Sequence, residues 1–145
     1  MQKQNEYKYI LKPGWPGDSV MYAAPQKNEI LRVFFDPQRT GTKQMSVWLT
    51  TFHPGQGPGL HTHPAPHEEL LYIVSGRGWE KVGDEERAVE TGDIIFVPPD
   101  TEHQLINTGE DLLTLLVVAS PPGNIENELY VKPLNKVVPN LRIEY

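Results

Sequence analysis

The chain of 145 residues contains no cysteine. That excludes disulfides, a thiolate nucleophile and any metal site built on sulfur. It fits a reducing, cytoplasmic setting. Basic charge is also scarce: 13 Lys and Arg stand against 19 Asp and Glu, for a net charge of −6. An acidic chain with no Lys/Arg stripe interleaved with aromatics is poorly suited to phosphate backbones, so no nucleic-acid partner is expected. No apolar run approaches the length of a bilayer, and no basic amphipathic helix is visible, so no membrane association is expected either. Residues 1–10 are polar and charged and lack the apolar segment of a secretory leader. Between residues 45 and 120 no segment repeats its apolar positions at helical spacing.

What is present is a rhythm of short β-type runs and turn residues, with 12 Gly and 14 Pro spread between the runs. Strands are predicted at Val20–Ala24, Ile30–Phe35, Met45–Phe52, Leu70–Val74, Ile94–Val97, His103–Asn107 and Leu112–Ala119. Trp79–Val82 and Arg87–Val89 read as the arms of a hairpin. Strands at 8–12-residue intervals with turns between them are the mark of an all-β sandwich or barrel. The predicted organisation is an N-terminal arm (1–19), one β-barrel domain (20–120) and a C-terminal tail (121–145) packing on the barrel.

Chemistry concentrates in two stretches. His61 and His63 are two apart, so on an extended backbone both imidazoles point to one face. Glu69 opens the next strand, with Leu71, Ile73 and Ser75 on its face. His103 opens a later one. Four such groups from distant segments meet only if the sheet curls around them. Gly55–Gly76 reads GQGPGLHTHPAPHEELLYIVSG and Gly92–Asn107 reads GDIIFVPPDTEHQLIN. These resemble, in order, the two motifs of the cupin superfamily, G-x5-H-x-H-x(3,4)-E-x6-G and G-x5-P-x-G-x2-H-x3-N. Two departures stand out. Asp100 occupies the usual glycine position, and Asp tolerates left-handed backbone better than most residues. Five residues, Pro64 to Glu68, separate His63 from the carboxylate, one more than usual. Glu68 would restore that gap, but only Glu69 keeps the spacing to Gly76 and the inward face.

The resemblance implies an all-β cupin (jelly-roll) barrel holding one divalent transition metal ion through His61, His63, Glu69 and His103. Imidazole with carboxylate suits Fe or Mn, which are favoured, and also Zn, Ni, Co or Cu. Leu71, Ile73 and Leu105 share faces with these residues and are the expected pocket wall, a mostly apolar one. No catalytic residue is assigned. His67, two before Glu69, is either an acid or base behind the ligands, a substitute ligand, or an exposed rim residue, the last being the commoner case. His53 is expected to be structural or solvated, and Glu68 a solvated rim carboxylate. Trp48, Phe52, Trp79 and Phe96 are expected in the core, Tyr72 on the outer face, and Asn107 in strand pairing. The implied function is a small metal-dependent enzyme, dioxygenase-like, acting on a small organic molecule. The alternatives are an isomerase or epimerase, a decarboxylase or lyase, and a non-catalytic ligand- or metal-sensing module. A homodimer is implied, with residues 20–35 free to extend a neighbour's sheet.

Overall fold

The computed structural model describes residues 9–12, 20–24, 29–38, 40–122 and 135–136. Most of the expected N-terminal arm and C-terminal tail lies outside the described residues. Within them the fold is all-β and antiparallel, and no helix is long and apolar enough to cross a membrane.

Ten strands run β1 (Val20–Ala24), β2 (Glu29–Phe35), β3 (Ser46–Phe52), β4 (Glu68–Ser75), β5 (Arg77–Val82), β6 (Glu85–Glu90), β7 (Ile94–Val97), β8 (His103–Asn107), β9 (Leu113–Ser120) and β10 (Asn135–Lys136). They form a seven-stranded sheet, β10-β1-β2-β3-β9-β4-β7, and a three-stranded sheet, β6-β5-β8. Thus β1 and β2 extend the chain's own sheet, and β10 brings a piece of the tail to its edge.

Alternation decides what is inside. On β4, Glu69, Leu71 and Ile73 are buried between exposed Glu68, Leu70, Tyr72 and Val74. On β8, His103, Leu105 and Asn107 point inward. Inward residues of both sheets, among them Leu31, Trp48, Phe52, Ile73, Leu105, Leu113 and Leu115, form one apolar core. Trp48 and Phe52 lie in it as expected, but Trp79 and Phe96 do not: they are 44% and 56% exposed. The period-2 rule explains both. Phe96 sits between inward Ile95 and Val97, and Trp79 between inward Gly78 and Glu80. Burying Trp79 would have required a one-residue slip of β5 that expels its neighbours from the core face.

The loops are tied to strand ends by a few polar groups. Asn107 Nδ2 donates to the carbonyls of Phe52 (3.1 Å) and Asp111 (2.8 Å), and its Oδ1 accepts from the Gly109 amide at 2.9 Å. Its own backbone bonds Gln56 and Gly55. That knot joins the end of β8 to the loop leading towards His61. The two motif departures meet in space. Asp100 has φ 55°, and its carboxylate accepts from the Ala65 amide (3.0 Å) while its amide donates to the His63 carbonyl (2.9 Å). A glycine there would keep the backbone bond to His63 but lose the carboxylate that receives the Ala65 amide.

Gly76, at φ 93°, ends β4 where a Cβ would lie 2.6 Å from the Leu112 carbonyl oxygen. Positive φ and backbone crowding both penalise a side chain here. Gly76→Ala is therefore expected to lower the unfolding free energy by about 2 kcal/mol or more, read from urea denaturation. An unchanged midpoint would show that the β4–β5 corner relaxes freely.

Candidate metal centre

The mouth of the barrel is built on β8. His61, outside any strand, pairs with His103 through two backbone hydrogen bonds of 3.1 and 2.9 Å. On the other side of β8, Val82 of β5 is in register with His103. Glu69 enters from the opposite sheet, flanked in register by Val97 and Ala119. All four residues expected from the sequence to meet therefore line one cavity.

The ring centroids of His61 and His103 are 4.1 Å apart, and those of His61 and His63 4.8 Å. Glu69 Oε1 lies 3.5 Å from His63 Nε2, and Oε2 lies 3.8 Å from His103 Nε2. Two overlapping trios, His61/His63/His103 and His63/His67/Glu69, each bring their donor atoms within 4.8 Å of one another.

The protonation pattern fits a cation. His103 Nδ1 lies 3.0 Å from the Thr101 carbonyl, and His61 Nδ1 bonds the Gly59 carbonyl. A carbonyl only accepts, so Nδ1 is the donor in both rings and Nε2 is the atom left for an ion, that of His103 lying 3.8 Å from Glu69 Oε2. This is the usual support of metal-binding imidazoles. His63 is held neutral, its pKa lowered to about 4, chiefly by burial and further by the neighbouring imidazoles, against the pull of Glu69. For Glu69, burial opposes ionisation. The hydrogen bond from His67 and the nearby His63, His67 and His103 outweigh it and hold the carboxyl below the usual range. Three imidazoles and an ionised carboxylate are a donor set for a borderline divalent ion.

The other candidates are placed as follows. His67 is not an exposed rim residue: its loop folds back so that Nε2 donates to Glu69 Oε1 at 3.1 Å, leaving 13% of the side chain exposed. Leu71 and Leu105 line the cavity, but Ile73 does not. One inward step beyond Leu71, Ile73 is fully buried in the core, its backbone bonded to Gly92 and Asp93. His53 and Glu68 are exposed, and Asn107 serves the fold.

The wall is less apolar than expected. Trp48, Phe52, Leu71, Leu105, Leu115 and Val117 contribute, but so do Thr50 and Glu80. Glu80 lies outside both motif stretches and was not among the residues expected at the site. Its one signal was alternation within β5, since it is the inward neighbour of Gly78. Burial, and secondarily the charge of Glu69, push the Glu80 carboxyl up to about 8. Below pH 4.5 folded and unfolded chains both carry this proton. As pH rises towards 8 the unfolded chain releases it first, so the metal-free protein loses stability, by about 3 kcal/mol at pH 7. Metal-free Glu80→Gln should escape this loss, so its stability advantage in urea unfolding should grow between pH 5 and 8. Parallel pH profiles of the two proteins would show that the carboxyl is solvated and ionised in the native state.

A family profile described as a cupin domain matches residues 48–119. Auxin-binding protein 4 of Zea mays is 32% identical over 96 residues, covering 59% of this chain and 46% of that protein. An uncharacterised protein of Methanocaldococcus jannaschii is 38% identical over 68 residues, covering 47% of this chain and 54% of that protein. The chain thus spans about half the length of these curated relatives. Among solved structures, a predicted oxalate decarboxylase from Thermotoga maritima superposes with a TM-score of 0.64 at 19% identity, over 78% of this chain and 99% of that one.

Proposed function

The chain belongs to the cupin superfamily, and from that premise we propose that it binds one divalent transition metal ion through His61, His63, Glu69 and His103 and acts on a small organic molecule held at that ion, in dioxygenase-type chemistry. The observation that carries this reading is the convergence of three imidazoles and one ionised carboxylate on a single cavity. When bound, the ion supplies a Lewis acid with positions open to an oxygen-donor ligand, and Fe or Mn would suit that chemistry. The chain's own residues do the rest. His61 and His103 present oriented lone pairs, Glu69 offsets the ion's charge, and His67 positions the Glu69 carboxylate. The aliphatic and aromatic residues give one side of the cavity, of about 50 Å³, an apolar lining suited to a small organic molecule.

A second reading is non-oxidative proton-transfer chemistry, as in an isomerase, decarboxylase or lyase. The buried Glu80 carboxyl favours it, because a carboxyl with a raised pKa near the operating pH can give and take a proton. A non-catalytic binding module is a third, favoured by the similarity to a protein named for binding auxin.

Metal content after loading with Fe(II), measured by elemental analysis, should approach one ion per chain. It should fall at least tenfold in His103→Ala and stay unchanged in His53→Ala. Oxygen uptake by the Fe(II)-loaded protein with a panel of small diketones, catechols and thiols tests the reaction class. Metal retained in His103→Ala would overturn the site, whereas metal without any oxygen uptake would remove the dioxygenase reading alone.

We also propose a homodimer, as the resemblance implies. The outer face of β4 and β7 supports it, because exposed Leu70 and Tyr72 stand in register with exposed Phe96 and Ile94. Such a contiguous apolar stripe suits a partner surface better than water. Light scattering after size exclusion should give twice the chain mass, and Phe96→Glu should shift it to monomer. A wild type that stays monomeric at tens of micromolar overturns the dimer.

A further inference from the structure

Among the described residues, the buried side-chain polar atoms with no hydrogen-bond partner include both carboxyl oxygens of Glu80 and the indole Nε1 of Trp48. Both residues line the cavity of the metal centre, and they are only 4% and 1% exposed. Buried polar groups in native proteins are nearly always paired, and the exceptions call for a ligand, an ion or a catalytic role. Here two exceptions fall in the wall of one cavity, on strands from opposite sheets.

The backbone directs both side chains inward. Glu80 is in register with inward Leu105 of β8, between outward Trp79 and Lys81. Trp48 is in register with Val33 and Val117 at the centre of the large sheet. Glu80 also lies outside both motif stretches, so the resemblance gives it no role. A carboxyl that weakens the empty fold yet faces a binding cavity is accounted for by a partner that arrives with the ligand.

The partner's chemistry follows from the two groups. An indole N–H only donates, whereas a carboxyl accepts when ionised and can also donate when protonated. An ammonium could not accept from the indole. A carbonyl would satisfy both only if Glu80 kept its proton. A hydroxyl accepts from the indole and exchanges a hydrogen bond with Glu80 in either state. The modest size of the cavity favours a small molecule.

We propose that Glu80 and Trp48 form a second recognition pole of the cavity, and that the ligand is a short hydroxy acid whose carboxylate faces the imidazole cluster and whose hydroxyl is held between Glu80 and Trp48. This rests on the metal site proposed above, which receives the carboxylate. The pole gives selectivity, because a site built to bond a hydroxyl rejects the analogue that lacks it.

The test uses the full chain loaded with Zn(II), which is redox-silent, and titration calorimetry with lactate, 3-hydroxypropionate and propionate. Wild type should bind at least one hydroxy acid ten or more times more tightly than propionate. In Glu80→Leu, which replaces the carboxyl with an apolar group, that ratio should fall towards one while zinc content and propionate affinity hold. Glu80→Gln should retain part of the preference, and Trp48→Phe should reduce it, so the outcome does not hang on the folding of one variant. Equal affinities in wild type, no binding of either hydroxy acid, or a ratio unchanged in both Glu80→Leu and Trp48→Phe would overturn the proposal. The last result would mean that the hydroxyl is held by the ion alone. A wild type that takes up no zinc would instead sink the metal site, and metal content reads that failure separately.

Discussion

The two backbone hydrogen bonds between His61 and His103 hold the mouth of this barrel together, and the rest of the site depends on them. They dock a loop onto the free edge of β8, so an imidazole from an irregular segment lies beside one from a strand. Side-chain bonds to the Gly59 and Thr101 carbonyls then fix both rings. The knot at Asn107 anchors the other end of β8. With β8 held at both ends, the inward face carries His103 at the rim and Leu105 beneath it, a polar mouth over an apolar wall.

Electrostatics and packing reinforce each other at this mouth. Burial alone would keep His63 neutral and would also tend to keep Glu69 protonated. The imidazoles around Glu69, with the His67 hydrogen bond, reverse the tendency for that one carboxyl. Glu80, without such neighbours, is left to the desolvation that the neighbours of Glu69 outweigh. Two carboxyls of the same cavity are thus driven in opposite directions by their surroundings, a separation that assigns them different tasks. Glu69 is suited to hold charge beside a cation, and Glu80 to meet a neutral polar group.

The strand pattern was legible in the residues because alternation and turn chemistry are local. Glu69 rather than Glu68 faces inward for the same reason: the side-chain period along a strand is two. The convergence of His61, His63, Glu69 and His103 on one cavity was legible because those residues belong to two compact motifs. Hydrophobicity misled where it competed with alternation. Trp79 and Phe96 are large and apolar, yet their neighbours claim the interior, and the outer face of the sheet receives them.

What the sequence by itself determined was the first nine strands, the alternation of faces along each of them, and the family to which its two motifs point. Tertiary structure alone decided distances across the barrel. It set how deep the cavity runs, so that Leu71 lines it and Ile73 does not. It folded His67 back onto Glu69 and let Asp100 brace the lengthened loop. It also enclosed Glu80 opposite Trp48 with no partner for either. The physical reason is that facing is a property of one strand, whereas burial and pairing depend on which strands close over it.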